Sequence, residues 1–289
     1  MNIRQAERKQ AKIKMGLQGP SGSGKTYSAL LLAYGLIEDW SKIVVIDSEQ
    51  HSSDLYADLG NYNVLQLDNP YEPERYIKAI EICEEAGMNV IIIDSISHEW
   101  DGDGGILDIH GNMIGNSFTN WSKVTPRHNA FVQKILQSNA HIIATIRSKQ
   151  DYVLSEKNGK QVPEKVGLKG ITRDGMDYEF TLVFELDLKH NAVATKDRTG
   201  LFMDKPQFLI TPATGSKIKE WCNKGTSLDE ILSSIKDCET VEELKQIWLK
   251  YPMLRKVIEP ALTRRKEVIL KTEMDVMSNH LTEENYGNY

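Results

Sequence analysis

The sequence predicts an α/β fold built on a mostly parallel sheet. Three observations carry that prediction. Short apolar runs alternate with helical spacing over the first 200 residues. Two of those runs, KIVVID at 42–47 and NVIIID at 89–94, close on an aspartate. Between the first run and the first helical pattern lies a glycine-rich loop, Gly19-Pro-Ser-Gly-Ser-Gly24-Lys25-Thr26.

Taken in order, residues 13–17 read as the strand that feeds this loop. Residues 25–38 read as a helix, with Leu30, Ala33, Tyr34 and Ile37 on one face. Residues 42–47 and 62–67 read as strands, and 72–86 as a helix stopped by Gly87. Residues 89–94 are a buried strand. A polar, glycine-rich stretch at 98–125 reads as a loop, after which 126–139 return to helical spacing and 141–146 (HIIATI) form the next strand. A second polar stretch, 147–177, also reads as a loop. Two loops of that length in one compact domain point to function or disorder. Residues 178–188 and 192–195 read as consecutive strands. Helices are expected at 227–235, 240–251 and 254–280, with no further strand signal, so residues 1–224 read as the core and 225–289 as a helical appendage. Within it, Thr240-Val-Glu-Glu243 has the form of a capping box, Trp248 falls on an apolar stripe that reads as packing, and Arg264-Arg265-Lys266 reads as a solvated face.

Composition narrows the class. The 289 residues carry a formal charge of −6 with 40% hydrophobic and 26% charged side chains, so bulk charge does not favour nucleic acid and any such surface must be local. Three cysteines without a CxxC pair argue against a disulfide framework or a cysteine zinc site. The charged start has no apolar signal region and no run is long enough to span a bilayer, so a soluble, cytoplasmic protein without membrane contact is expected.

The loop at 19–26 matches G-x-x-x-x-G-K-[ST] in full. Its glycines let backbone N–H groups curl around phosphates, and the following helix adds its positive end. The pattern predicts ATP with Mg2+, bound by Gly19, Pro20, Ser21, Gly22, Ser23, Gly24, Lys25, Thr26 and Tyr27. Lys25 would reach the β and γ phosphates, and the Thr26 hydroxyl would ligand magnesium. Asp94, closing the 89–94 strand, is the expected second magnesium residue, acting through water. Hydrolysis also needs a carboxylate near the γ phosphate but off the metal. Ser95 rather than glutamate follows Asp94, whereas Glu49 stands two residues beyond the strand at 42–47, which makes it the expected base. His98, Glu99, Asp101, Asp103, Asp108 and His110 match no metal-cage spacing and read as a solvated acidic loop.

VVIDSEQHSSDLYAD after GPSGSGKT resembles the RecA superfamily of P-loop ATPases, in which the catalytic glutamate ends the strand after the phosphate-loop helix. Lys196-Asp197-Arg198-Thr199-Gly200 resembles the Lys-x-Arg-x-Gly signature of RadA and DnaB-type ring ATPases. The resemblance implies that Lys196 and Arg198 reach a neighbouring subunit's nucleotide, where two cations would stabilise charge developing on the γ phosphate. The active unit would then be a homo-oligomer, a ring or filament. More narrowly, residues 12–201 resemble phage-encoded RecA-like ATPases, including those assigned to single-strand annealing and recombination, through IDSISHEWDGDGGILDIHG, IIATIRSKQDYVL, VPEKVGLKGITRDGMDYEF and KDRTGLF.

That resemblance implies a RecA-like core, a phage or prophage protein working in a bacterial host, and DNA-binding loops at 98–125 and 147–177. Neither stretch carries RecA's own DNA-loop sequence. The first offers Trp100, Phe118, Trp121 and Lys123, with Arg127 just beyond, the mixture of rings and cations that single-stranded DNA stacks on. The second, counted over 147–174, has seven Lys/Arg against four acids, a net +3 that includes Lys157, Lys160, Lys165, Lys169 and Arg173. In the superfamily the position after the 141–146 strand senses the γ phosphate; Arg147, Lys149 and Gln150 are the alternatives. Two functions follow as expectations. One is an ATPase acting on single-stranded DNA, and the other a nucleotide-gated protein-binding module with slow or absent hydrolysis. A small-molecule kinase fits poorly, since no acceptor-binding signature is visible.

Overall fold

The computed structural model describes residue 8, residues 10–157 and residues 160–286, with the side chains of 150–168, 253, 256, 273 and 275–286 outside the description. Contacts divide the chain into Ala11–Cys222 and a second unit formed by Asn223–Tyr289 with the segment before Ala11.

The first unit is a sheet wrapped by helices. In chain order its elements are β1 (Lys14–Gly19), α1 (Lys25–Ile37), β2 (Ile43–Asp47), β3 (Asn63–Gln66), α2 (Pro73–Glu85), β4 (Val90–Asp94), α3 (Ser97–Asp101), α4 (Ile106–Gly111), α5 (Ser117–Gln137), β5 (His141–Lys157), β6 (Lys160–Gly170), α6 (Met176–Glu179), β7 (Leu182–Leu186), β8 (Asn191–Asp197), β9 (Phe208–Leu209) and α7 (Pro212–Cys222). The nine strands run in the order β3-β2-β4-β5-β1-β7-β8-β9, with β6 paired to β5. Pairings from β3 through β7 are parallel, while β5–β6, β7–β8 and β8–β9 are antiparallel. The expected α/β class and mostly parallel sheet are therefore found.

The apolar runs are continuous because both faces of the sheet are covered. Ile43, Val45, Val90, Ile92 and Leu17 point to one side, into a core shared with Leu30, Ala33 and Leu36 of α1 and Ile218 of α7. Val44, Ile46, Ile91, Ile93 and Ile142 point to the other, where Tyr76 and Ile80 of α2 meet Phe131 and Ile135 of α5. The alternation is the two-residue period of an extended chain with each parity buried in its own layer.

Two expectations are corrected. Residues 98–125 are not a loop but α3, α4 and the first turns of α5. That helix starts at Ser117, capped by the Asn116 side chain accepting from Phe118 N at 2.8 Å. Pro126 lies inside α5, and a proline at the head of an apolar pattern imitates a helix start. Residues 147–177 are largely an antiparallel ribbon: β5 runs on past the central sheet and pairs with β6 from Ser148 to Lys157. The available signal was Asn158-Gly159, a dipeptide that favours a two-residue hairpin turn.

The second unit holds α8 (Leu228–Asp237), α9 (Val241–Lys250) and α10 (Arg255–Tyr286). Ile231, Ile235, Leu244, Ile258 and Leu262 form its core. Capping boxes open both α8, through Ser227 and Glu230, and α9, through Thr240 and Glu243. Trp248 packs on this core and under Arg255, whose guanidinium lies 4.9 Å from the ring centroid.

Helices α1 and α7 cross at two glycines. A Cβ on Gly35 would stand 1.9 Å from Pro212 O and 2.9 Å from Gly215 Cα. Gly35→Ala should therefore push the helices apart and lower stability by about 1–3 kcal/mol, measured by urea unfolding. Lys14 is the second sensitive point. Its ammonium lies buried at the start of β1, donating to Ser138 O at 2.8 Å and to Ala140 O. Burial pulls its pKa down to about 7, against an opposing pull from Glu84. The unfolded chain, with an ordinary lysine near 10.4, binds the extra proton between these values, so stability contributed here rises with pH over that window. Comparing the wild type with Lys14→Met from pH 7 to 10 should show the difference moving towards the wild type by up to about 1.4 kcal/mol per pH unit.

Candidate nucleotide-binding site

The loop between β1 and α1 lies at the C-terminal edge of the parallel strands, where a cleft of about 1020 Å³ opens. Gly22 and Gly24 hold φ of +81° and +80°, the left-handed region that L side chains rarely enter. Gly24 is the N-cap of α1, so the first N–H groups of that helix face the cleft. Lys25 folds back over the loop, its ammonium donating to Gly19 O at 3.0 Å and Pro20 O at 2.9 Å. Burial lowers its pKa, and the carboxylates of Asp94 and Glu49 work against that. Ser23 Oγ is buried with no hydrogen-bond partner among the described residues. Curled backbone, helix end, lysine and this unused hydroxyl together suit a phosphate chain.

Asp94 is the buried counterpart. Thr26 Oγ1 donates to its Oδ2 at 2.6 Å, and Thr145 Oγ1 donates to its Oδ1. Burial raises its pKa, and the two hydroxyl bonds oppose that rise. Among the described residues no cluster of three His, Cys, Asp or Glu is placed to hold a metal. The Thr26–Asp94 pair fits a hard cation that completes its shell with phosphate oxygens and water, which is magnesium's habit.

Glu49 reaches the same cleft through a built turn. Parallel pairing sets Asp47 level with Asp94, so Glu49 starts two residues beyond the end of β2. The fully buried Asp47 carboxylate accepts from Glu49 N at 2.7 Å, Ser53 N at 2.9 Å and Ser53 Oγ at 2.5 Å. Ser48 N donates to Asp94 O at 2.7 Å, which ties the turn to β4. Glu49 itself ion-pairs with Arg147, whose Nε donates to Oε1 at 2.7 Å and whose second nitrogen donates to Oε2. Burial alone would raise the Glu49 pKa, but the hydrogen bond and charge of Arg147 outweigh it and hold the carboxyl below its usual range.

The cleft is also lined by residues not expected at the site, among them Tyr56, His190 and Leu209. His190 sits at φ +68° in a turn whose Asp187 carboxylate accepts from Lys189 N, Asn191 N and Asn191 Nδ2. Its Nδ1 would lie 3.1 Å from a Cβ on Gly24. The turn composition was readable, but its meeting with a loop so far back in the chain was not.

The other expected residues lie elsewhere. Lys196 Nζ donates to Asp177 O at 2.9 Å and to Tyr178 O, and an Arg198 nitrogen donates to Tyr178 O at 3.3 Å. Lys196 pairs across from Val183, which is level with Gly16, three residues short of Gly19. This places the pair roughly 10 Å down the sheet from its own phosphate loop. Trp100 and Trp121 stack on each other at 6.0 Å, with His110 stacked on Trp121 at 4.2 Å. Arg127 forks onto Glu74 with both contacts at 2.7 Å. Lys123, Phe118 and Ile114 are exposed. Lys169 pairs with Asp174 at 2.8 Å, and Arg173 is half-buried. The side chains of Lys157, Lys160 and Lys165 lie outside the described residues. His98 contacts Ser48 Oγ at 2.9 Å and the buried Glu99 contacts His128 at 3.0 Å, so these two belong to packing rather than to a solvated acidic loop.

Because Gly24 combines a left-handed backbone with the His190 contact, Gly24→Ala should weaken triphosphate binding at least about tenfold by titration calorimetry and lower stability by about 1–2 kcal/mol on urea unfolding.

A search for similar sequences among curated proteins finds no match. A family model described as an AAA domain matches residues 11–209, from the start of β1's lead-in to the end of β9. Matched over more than half its length, with the phosphate loop, Asp94 and Glu49 around one cleft, the chain belongs to that AAA-domain family of P-loop ATPases.

Proposed function

We propose that this protein is a RecA-like, magnesium-dependent ATP hydrolase that acts on single-stranded DNA in phage recombination or replication. The observation that carries the hydrolase reading is the convergence of two carboxylates of different character on one cleft. Asp94 is sealed behind Thr26, whereas Glu49 stays partly exposed at the rim.

In this reading the loop N–H groups and Lys25 hold the β and γ phosphates, and Thr26 with Asp94 holds magnesium. The metal, when bound, offsets charge on the phosphate oxygens. Glu49 orients the attacking water and takes its proton, with Asp47 fixing the backbone that aims it. Tyr27, Tyr56, His190 and Leu209 stand where the nucleoside would leave the phosphate loop.

The DNA part rests on placement. The β5–β6 ribbon continues the strand that brings Arg147 to the cleft, and the sequence around it carries the local net +3. On α5, Phe118 and Lys123 are exposed, so stacking there would use Phe118 more readily than Trp100 and Trp121, whose faces are already occupied. Lys196 and Arg198 lie too far from their own loop to act on it, which supports action on a neighbouring subunit's nucleotide in a ring or filament. A cytoplasmic setting belongs to the same proposal. No helix among the described residues is long and apolar enough to cross a membrane.

A second reading, a nucleotide-gated protein-binding module, is favoured by one observation: both Glu49 oxygens are engaged by Arg147. Turnover assays at low salt separate the two. The hydrolase reading expects ATP hydrolysis that rises on adding single-stranded DNA, falls at least about 100-fold in Glu49→Gln and loses its DNA response in Arg198→Ala. Nucleotide binding without turnover in the wild type would instead support the module.

A further inference from the structure

The turn between β7 and β8 lies across the phosphate loop. The β1–β7 pairing sets Glu185 level with Gln18, so β7 ends at Leu186 beside Gly19, the residue that opens the loop. Leu186 O would stand 2.8 Å from a Cβ on Gly19, and His190 Nδ1 would stand 3.1 Å from one on Gly24. The turn therefore touches the loop near both of its ends. Its own shape is fixed from within. His190 N donates to Asp187 O and Asp187 N to Asn191 O, both at 3.0 Å. The Asp187 carboxylate accepts from Lys189 N at 2.8 Å, Asn191 N at 2.9 Å and Asn191 Nδ2 at 3.2 Å.

At φ +68° His190 occupies the left-handed position that short hairpins commonly give to glycine. A side chain there is strained, and the hydrogen bonds of the turn offset that strain. What histidine adds at this position is its ring. The residue lines the cleft and is exposed, and among the described residues the ring has no hydrogen-bond partner.

Strand order sets which part of a nucleotide the ring faces. Arg147, Asp94 and Glu49 belong to β5, β4 and the turn after β2, all on one side of β1. His190 stands on the other side, beyond β7, as do Leu209 and Thr211. The imidazole and the groups around the reacting phosphate thus approach the loop from opposite directions. In the cleft Lys25 and Arg147 are matched by Asp94 and Glu49, so a phosphate chain carrying one divalent cation adds net negative charge. A ring N–H beside the loop is a donor suited to that charge.

We propose that His190 is a further ligand of the phosphate chain, donating a ring N–H to the phosphate next to the nucleoside, and that the β7–β8 turn is built to deliver it. This rests on the nucleotide reading of the cleft. That phosphate is common to ATP and ADP, so the contact strengthens both alike and holds the nucleotide before and after hydrolysis. Asp187 is the positioning residue, acting only through the ring it places.

Titration calorimetry with magnesium tests this on wild type, His190→Gly, Asp187→Ala and the double variant, with thermal unfolding as the check on folding. Glycine suits the left-handed backbone, so His190→Gly removes the ring without adding strain. It should weaken a non-hydrolysable ATP analogue and ADP by the same factor, at least about fivefold, as expected for one hydrogen bond to a charged group. 2′-Deoxy-ADP and inosine diphosphate should weaken by that factor too. Asp187→Ala should weaken binding in the wild type and add nothing in the His190→Gly background. Unchanged affinities in His190→Gly overturn the contact, as does a loss confined to the triphosphate. A loss that shrinks with either analogue places the ring on sugar or base and overturns it as well, and so does an equal effect of Asp187→Ala without the ring. Should His190→Gly fail to fold, His190→Asn takes its place with the same expectations, since asparagine tolerates the left-handed region. A wild type that binds no nucleotide would overturn the nucleotide reading together with the contact, whereas nucleotide binding indifferent to His190 would overturn the contact alone.

Discussion

The candidate site is organised around the burial of one carboxylate. Asp94 has only 2% of its surface exposed, which for an ionisable group is expensive unless its oxygens are matched. Thr26 and Thr145 match them, one hydroxyl to each oxygen. Because Thr26 opens α1 and Thr145 lies in β5, these bonds pin the helix behind the phosphate loop and the neighbouring strand to the end of β4. Ser48 closes a third side, its N–H and hydroxyl both donating to Asp94 O. Four separate segments are thereby fixed within hydrogen-bond reach of each other.

Asp47 repeats the device one strand over. It is buried completely and spends its oxygens on the backbone of Glu49 and on Ser53, so the chain leaves β2 in one direction only. Two aspartates that end adjacent parallel strands thus do different work: Asp94 is left facing the Thr26 hydroxyl, and Asp47 is consumed in shaping a turn. Register sets the two at one level, so the contrast comes from what each carboxylate meets, Thr26 and Thr145 at Asp94 and the Glu49–Ser53 turn at Asp47.

Helix α3 then distributes contacts from this edge. Ser97 receives Arg147 N, His98 meets Ser48 Oγ, Glu99 pairs with His128 of α5, and Trp100 stacks on Trp121. Glu99 and His128 are both nearly inaccessible, and burial pushes the Glu99 pKa up against the opposing bond from His128. His98 and Glu99, which looked like part of a solvated acidic loop, therefore belong to a packed bridge between the nucleotide edge and the α4–α5 surface, while Asp101, Asp103 and Asp108 are exposed. Nothing in their composition distinguished the two, because a short helix with few apolar residues carries almost no periodic signal.

The sequence by itself determined what depends on local or continuous patterns. The phosphate loop was legible because its glycines, lysine and threonine act within eight consecutive residues. The core strands were legible because burial on both faces demands unbroken apolar runs, and the appendage helices because capping residues and apolar spacing are local as well. Tertiary structure decided everything that depends on which distant segments meet. Parallel register set Arg147 level with the phosphate loop, where it meets Glu49, 98 residues earlier in the chain. A turn at 187–191 brought His190 over Gly24, and the sheet carried Lys196 and Arg198 away from their own loop. Sequence encodes such meetings only through the packing of the whole sheet: each side chain's polarity is fixed locally, but its partner is set by strand order and by which edge of the sheet each turn occupies.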